Sequence, residues 1–166
     1  PEVIPAVLQT EHYARAILSN PLDKGQDVEP AVAERMQRAE RILNGNTTEV
    51  WCVLGEAALH REVGGRPVLR DQLDHLREMT ACPDITLQIL PFSAGEHVAL
   101  GSNFRILHLA EPAATYVYME GLTGSDYLDK PSHTSRYVKA FDMLRAVAAS
   151  DRATVRMLDE RIKDLT

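Results

Sequence analysis

Apolar side chains recur at helical spacing almost from the start of the chain. Tyr13, Ala14, Ile17 and Leu18 fall on one stripe of the segment from Glu11 to Leu18, and Thr10 precedes it as an N-cap. Asn20-Pro21 stops that helix, and the polar stretch from Asn20 to Glu29 reads as a loop. A second helix starts at Pro30, carries Val32, Met36, Ala39, Ile42 and Leu43 inward, and ends near Gly45. Its opposite face, with Glu34, Arg35, Arg38, Glu40 and Arg41, reads as solvated. The period then changes. Thr48 to Leu54 is β-branched and aromatic and predicts a strand, after which Gly55-Glu56 opens a short helix from Ala57 to Glu62 that Gly64-Gly65 breaks. Pro67 to Thr80 is the best amphipathic segment, with Leu69, Leu73, Leu76 and Met79 at helical spacing.

Ile85 to Leu90 alternates, with Ile85, Leu87 and Ile89 on one face and Thr86, Gln88 and Leu90 on the other. Pro91 lacks the backbone donor and ends that strand, and a glycine-bearing loop follows. Asn103 to Leu109 and Thr115 to Met119 read as two strands of a hairpin, and Gly121 to Pro131 as a polar loop. A long helix from Ser132 carries Tyr137, Phe141, Leu144 and Val147 or Ala148, and Ser150 caps a last helix repeating Val155, Leu158, Ile162 and Leu165. Strands between helices, with helices at both ends, predict an α+β class: a small, mostly antiparallel sheet of about four strands packed with amphipathic helices.

Length adds that the 166 residues suit one domain, residues 1–166, able to bury about 70% of its extended surface without metal or disulfide support. Nothing resembles a membrane span or a leader peptide. Charge narrows the partners. Acidic residues outnumber basic ones, 24 to 18, for a net charge of −6, and no Lys/Arg cluster stands apart from acidic neighbours. Holding duplex DNA takes a basic face that displaces counterions, so this balance argues against nucleic-acid binding by the segment alone. Cys52 and Cys82 have neither redox nor zinc spacing and read as buried, reduced thiols of a cytoplasmic chain. The opening Pro1-Glu-Val-Ile-Pro5 has no initiator methionine and is expected to follow a longer upstream segment.

Six motifs in order carry a resemblance. They are Ile4-Pro5-x-x-Leu8-Gln9-Thr10-x-x-Tyr13-Ala14-Arg15-Ala16, Leu54-Gly55-Glu56-Ala57-Ala58-Leu59, Val63-Gly64-Gly65 and Gln72-Leu73-x-x-Leu76. They continue with Thr86-Leu87-Gln88-Ile89-Leu90-Pro91-Phe92-x-x-Gly95-x-His97 and Val117-Tyr118-x-Glu120. Together they resemble the C-terminal domain of unknown function of actinobacterial Xre-type helix-turn-helix, antitoxin-like transcriptional regulators, in a match running from Pro1 to about Val147. Gly55 stands where that family usually has Asp or Glu, and Ala6 where proline or glycine is common.

The resemblance implies a regulatory domain whose DNA-reading helix-turn-helix lies upstream of Pro1. It further implies a small partner protein encoded nearby, a homodimer, and a small-molecule effector as a candidate ligand. It transfers no catalytic residue, and no cofactor and no enzymatic activity are expected.

The residues themselves offer two candidate clusters. The loop after Pro91 sets an aromatic, a carboxylate and an imidazole (Phe92, Glu96 and His97) where a rigid strand positions them. Tyr116 and Tyr118 share one strand face and Glu120 follows at the strand end, a pattern that lines either a pocket or the core. These six are the expected ligand- or partner-binding residues. Glu56 and His60 are four apart on a helix and could share a face, but helical zinc proteases need two histidines around the glutamate, so Glu56 reads first as a helix-dipole partner. The loop Gly121-Leu-Thr-Gly124 lacks phosphate-loop spacing, and no Gly-x-Ser-x-Gly elbow occurs. Two other readings stay open. One is a bare dimerisation or scaffold module docking through the helix from Asp151 to Thr166. The other is a small metal-dependent or acid–base hydrolase using Glu56, His60, His97 or Glu120.

Overall fold

The computed structural model describes residues 2–19, 27–45 and 48–166, so the expected helix stop at Asn20-Pro21 and most of the loop after it lie outside the described residues. In chain order the elements are α1 (Glu11–Leu18), α2 (Glu29–Leu43), β1 (Val50–Gly55), α3 (Ala57–His60), α4 (Arg66–Met79) and β2 (Ile85–Leu90). Then come β3 (Arg105–Leu109), β4 (Ala114–Glu120), β5 (Ser125–Leu128), α5 (Pro131–Val147) and α6 (Asp151–Asp164). The α+β class holds. The strands divide between two sheets where the patterning suggested one: β1 and β2 form a parallel pair, and β3-β4-β5 an antiparallel sheet. The chain packs as two compact units, Pro1–Phe92 with Ala149–Thr166 and Ser93–Ala148.

In the first unit β1 and β2 run in register from Val50 opposite Ile85 to Gly55 opposite Leu90. A parallel pair needs a crossover, and α3 and α4 supply it. Strands of this kind are covered on both faces, which is why Cys52, Val53 and Leu54 are buried in succession, as are Leu87, Gln88, Ile89 and Leu90. Burial pushes the Cys52 thiol up to about 12, so it stays protonated at neutral pH. The α4 stripe is fully buried at Leu69, Leu73 and Leu76, each side chain contributing about 1.5–3 kcal/mol of burial free energy.

The N-terminal motif Leu8-Gln9-Thr10-x-x-Tyr13 has a physical reading in this unit. Gln72 is fully buried on α4; its Oε1 accepts the Thr10 N–H (2.7 Å) and its Nε2 donates to the Leu8 carbonyl (2.8 Å). Gln9 Nε2 donates to the Ile4 carbonyl (2.7 Å), while Arg35 donates to Gln9 Oε1 (3.0 Å). Thr10 then caps α1 by accepting the Tyr13 N–H. The buried Tyr13 hydroxyl accepts the Ile4 N–H; burial raises its pKa, partly offset by that bond and by Arg61. Gly64 has φ +72°, and a Cβ there would sit 2.9 Å from Val68 Cγ1 and 3.0 Å from Ala16 Cβ, so Gly64 lets α1 and the start of α4 approach.

Arg15 links α1 to α2. Its guanidinium donates to both carboxylate oxygens of Glu29 (2.6 and 2.8 Å) and to Glu11 (2.6 Å), and the Arg15 hydrogen bonds hold the Glu29 carboxyl below the usual carboxylate range. A carboxylate depressed in the folded state contributes stability above its unfolded pKa of about 4.3 and loses it as pH falls through the folded value. Glu29→Gln is therefore expected to lower the urea midpoint slightly at pH 6, with the gap to wild type closing as pH falls through the lowered Glu29 value. A gap that persists at low pH would assign the effect to packing.

The alternative scaffold reading rests on the apolar stripe of the last helix. That stripe is instead spent inside the first unit: Leu158 is fully buried and Leu165 nearly so, with Val155 and Ile162 half-buried. Polar contacts fasten it. Ser150 accepts the Ala153 N–H as N-cap, the buried Thr154 hydroxyl accepts the Ile89 N–H (3.2 Å), and Arg161 donates to the Leu59 carbonyl (3.0 Å).

In the second unit, β4 lies between β3 and β5, with Val117 opposite both Ile106 and Leu128. The α5 helix lies over β3 and β4 and covers the face carrying the buried Val117; Tyr137 packs edge-on against Phe104 and donates to Met119 Sδ (3.0 Å). β5 falls inside the stretch expected to be a loop. Its Ser-Asp-Tyr-Leu has only one strongly β-forming residue, and pairing with Val117–Glu120 holds it extended.

Candidate functional site

At the carboxyl ends of the parallel pair, two of the sequence motifs meet. Glu56 follows β1 and its N–H donates to the Leu90 carbonyl (2.9 Å), which extends the pairing by one bond. Its carboxylate Oε2 then accepts the Phe92 N–H at 2.6 Å, just past the donor that Pro91 cannot supply. The other oxygen, Oε1, stands 3.8 Å from His60 Nε2, and the His60 ring lies 6.1 Å from the Phe92 ring. Helical spacing thus does bring Glu56 and His60 to one face. Glu56 sits at the N-cap of α3 rather than in its first turn, and its side chain makes no capping bond but holds the turn at Phe92. Phe92 is left 64% exposed, an aromatic displayed by a fixed backbone.

The second unit holds the larger arrangement. Arg105, Tyr118 and Tyr127 are directly opposite one another across β3, β4 and β5. The Arg105 guanidinium carbon lies 5.2 Å from the Tyr118 ring centroid, the Tyr118 and Tyr127 rings are 4.9 Å apart, and Arg105 donates to Glu120 Oε2 at 3.3 Å. These contacts hold a cation on an aromatic face with a carboxylate at its flank. Strand alternation places Tyr116 and Leu107 on the same face, one register step along. This is the face opposite the one carrying Val117, and much of it is open: Tyr127 is 64% exposed and Leu107 45%.

Of the six sequence candidates, Tyr118 and Glu120 are joined through Arg105, and Tyr116 shares their face. Phe92 belongs to the other unit, with Glu56 and His60. Glu96 is exposed in the loop, and the His97 carbonyl accepts the Leu100 N–H (3.0 Å), while its Nδ1 is buried with no hydrogen-bond partner among the described residues. Gly95 and Gly101, at φ +65° and +77°, set the bends on either side of it. Arg105 and Tyr127 were missed. Arg105 was legible as part of a strand, but only the register shows which tyrosine it faces, and Tyr127 was hidden in the presumed loop.

The chemistry on offer is that of contact. Among the described residues no three His, Cys, Asp or Glu side chains gather closely enough to hold a metal ion. One shallow depression, near Thr80, Thr86 and Arg152, contains none of the candidates, and another, at the β4–β5 turn, contains Glu120 alone of them. No helix among the described residues is long and apolar enough to cross a membrane.

No curated protein and no solved structure matches the chain. A family model described as "Domain of unknown function (DUF5753)" matches residues 1–160, which takes in the second compact unit, all but the last six residues of the first, and the six motifs above. The chain belongs to the DUF5753 family.

Proposed function

We propose that this chain is the regulatory domain of an Xre-type, antitoxin-like helix-turn-helix transcriptional regulator of actinobacterial type. In this reading it receives a partner protein, dimerises, and passes the bound state to a DNA-reading domain upstream. The observation that carries the reading is the Arg105–Tyr118–Tyr127 row on the open sheet face, its two ends exposed and Tyr118 half-buried, with Glu120 beside it. Arginine and tyrosine are the residue types that concentrate binding energy at protein interfaces. Small molecules are usually held in concave sites, whereas this is a face of an open sheet, which favours a protein partner over a small effector. The net charge of −6 supports leaving DNA contact to another domain. The ordered motifs supply the link to regulators, and no reaction is assigned.

The test uses the full-length protein with its native upstream segment, its operator duplex and the neighbouring partner protein. Fluorescence anisotropy reads operator affinity with and without the partner. The double variant Arg105→Ala/Tyr118→Ala is expected to weaken the partner's effect at least about tenfold, the loss of one to two interface anchors, with an unchanged melting curve. Operator affinity indifferent to the partner, to oligomeric state and to removal of this domain would overturn the reading. So would tight, salt-sensitive duplex binding by the domain alone.

A further inference from the structure

The antiparallel sheet has two edges, and they differ. β5 is four residues long, carries Asp126 and runs into Asp129 and Lys130, the charged and short construction that keeps an edge from pairing. β3 has neither Pro, Lys nor acid along Arg105–Leu109, and among the described residues its backbone is hydrogen-bonded to β4 alone. Four of its five residues are exposed, including Leu107 at 45% and Leu109 at 49%. An unguarded strand edge with exposed leucines is a template for another strand.

We propose that β3 is a homodimer interface, pairing antiparallel with β3 of a second copy about a twofold axis through Leu107. The occupant follows from the strand's own sequence. Turned end for end about Leu107, Arg105 falls opposite the partner's Leu109 and Ile106 opposite the partner's His108. The one fully charged side chain of the strand therefore meets a leucine rather than its own copy, and like charges directly opposite, the usual bar to self-pairing, do not arise. Leu107 and Leu109 from the two copies close into one apolar strip on the open face. The two sheets become one of six strands, and each Arg105 keeps its bond to Glu120 in its own copy. A single short strand buries less than the roughly 800 Å² per partner of a stable interface, so the dimer forms on the order of micromolar concentration.

This deepens the proposed regulatory reading by naming the surface of dimerisation, and it is tested on this chain alone, so its failure leaves the operator experiment standing. Sedimentation velocity across a concentration series is expected to show a monomer–dimer equilibrium. Leu107→Lys, which sets two like charges on the axis, is expected to raise the dissociation constant at least about tenfold. Leu122→Lys, at a position 88% exposed in the β4–β5 turn, is expected to leave it unchanged. In a Cys82→Ser background, Leu107→Cys is expected to form a disulfide-linked dimer on mild oxidation, since axial residues bring their Cβ atoms within about 5 Å. A monomer at every concentration, a dimer indifferent to Leu107→Lys, or no cross-link at position 107 would overturn the proposal. So would pairing of this edge with a different protein while the chain alone stays monomeric.

Discussion

Replacing Gln72 with leucine is expected to destabilise the protein by about 3–5 kcal/mol, read as a loss of roughly 10 °C in melting temperature. The side chain is fully buried on α4 and serves two backbone groups at once, the Thr10 N–H and the Leu8 carbonyl. Leucine fills the space but leaves a donor and an acceptor without partners, each costing about 1–3 kcal/mol away from water. Gln72→Glu separates the two roles. An ionised carboxylate still accepts from Thr10 but cannot donate to Leu8, and it buries a charge, so the loss at neutral pH exceeds that of leucine. Burial raises the pKa of such an acid, so the penalty is full above that pKa and shrinks as pH falls through it. Thermal melts of both variants at two pH values check this. Wild-type stability in Gln72→Leu would assign the N-terminal segment's docking to apolar contacts alone.

The second large effect is expected at Gly64. With φ at +72°, alanine costs about 1–2 kcal/mol in backbone conformation. Its Cβ would also press on Val68 and Ala16 within 3.0 Å, and overpacking of that kind adds about 1–3 kcal/mol. Gly64→Ala is therefore expected to cost about 2–5 kcal/mol in urea unfolding. The companion Gly64→Ala/Val68→Ala removes the Val68 Cγ1 contact, leaves the Cβ atoms of residue 68 and Ala16 at 3.0 Å, and is expected to recover part of that loss while the conformational share remains. Equal stability of the two variants would show that relieving the Cγ1 contact gains no more than the packing Val68 loses when truncated.

Local chemistry was the most legible layer. Thr10 and Ser150 cap helices, prolines open α2 and α4 in their first turns, and the apolar stripes of α1, α2, α4 and α6 face inward. Pairing was harder to read. The nearly continuous apolar runs of β1 and β2, with helices between them, are the mark of parallel strands, whereas the hairpin further on is antiparallel, so one sheet type does not describe the chain. β5 escaped because one tyrosine in a polar run carries no period. In the candidate site, strand alternation sufficed to group Tyr116, Tyr118 and Glu120. It could not bring in Arg105 and Tyr127, because those neighbours are set by register across strands rather than by spacing along one. Glu56 meeting the Phe92 N–H is likewise non-local, and its length-wise separation hides it.

The second unit interrupts the first between β2 and α6, and the chain returns at Ala149, whose N–H donates to the Ile89 carbonyl at 2.8 Å. A ribosome makes these parts in strict order. The hairpins and α5 are contiguous, so they have all their own residues before α6 emerges. The earlier part must wait for Leu158 and Leu165, with the apolar surface they cover still bare. During synthesis, then, the inserted unit has all its residues first, and the incomplete scaffold around it is the stage that leaves most apolar surface open to a chaperone.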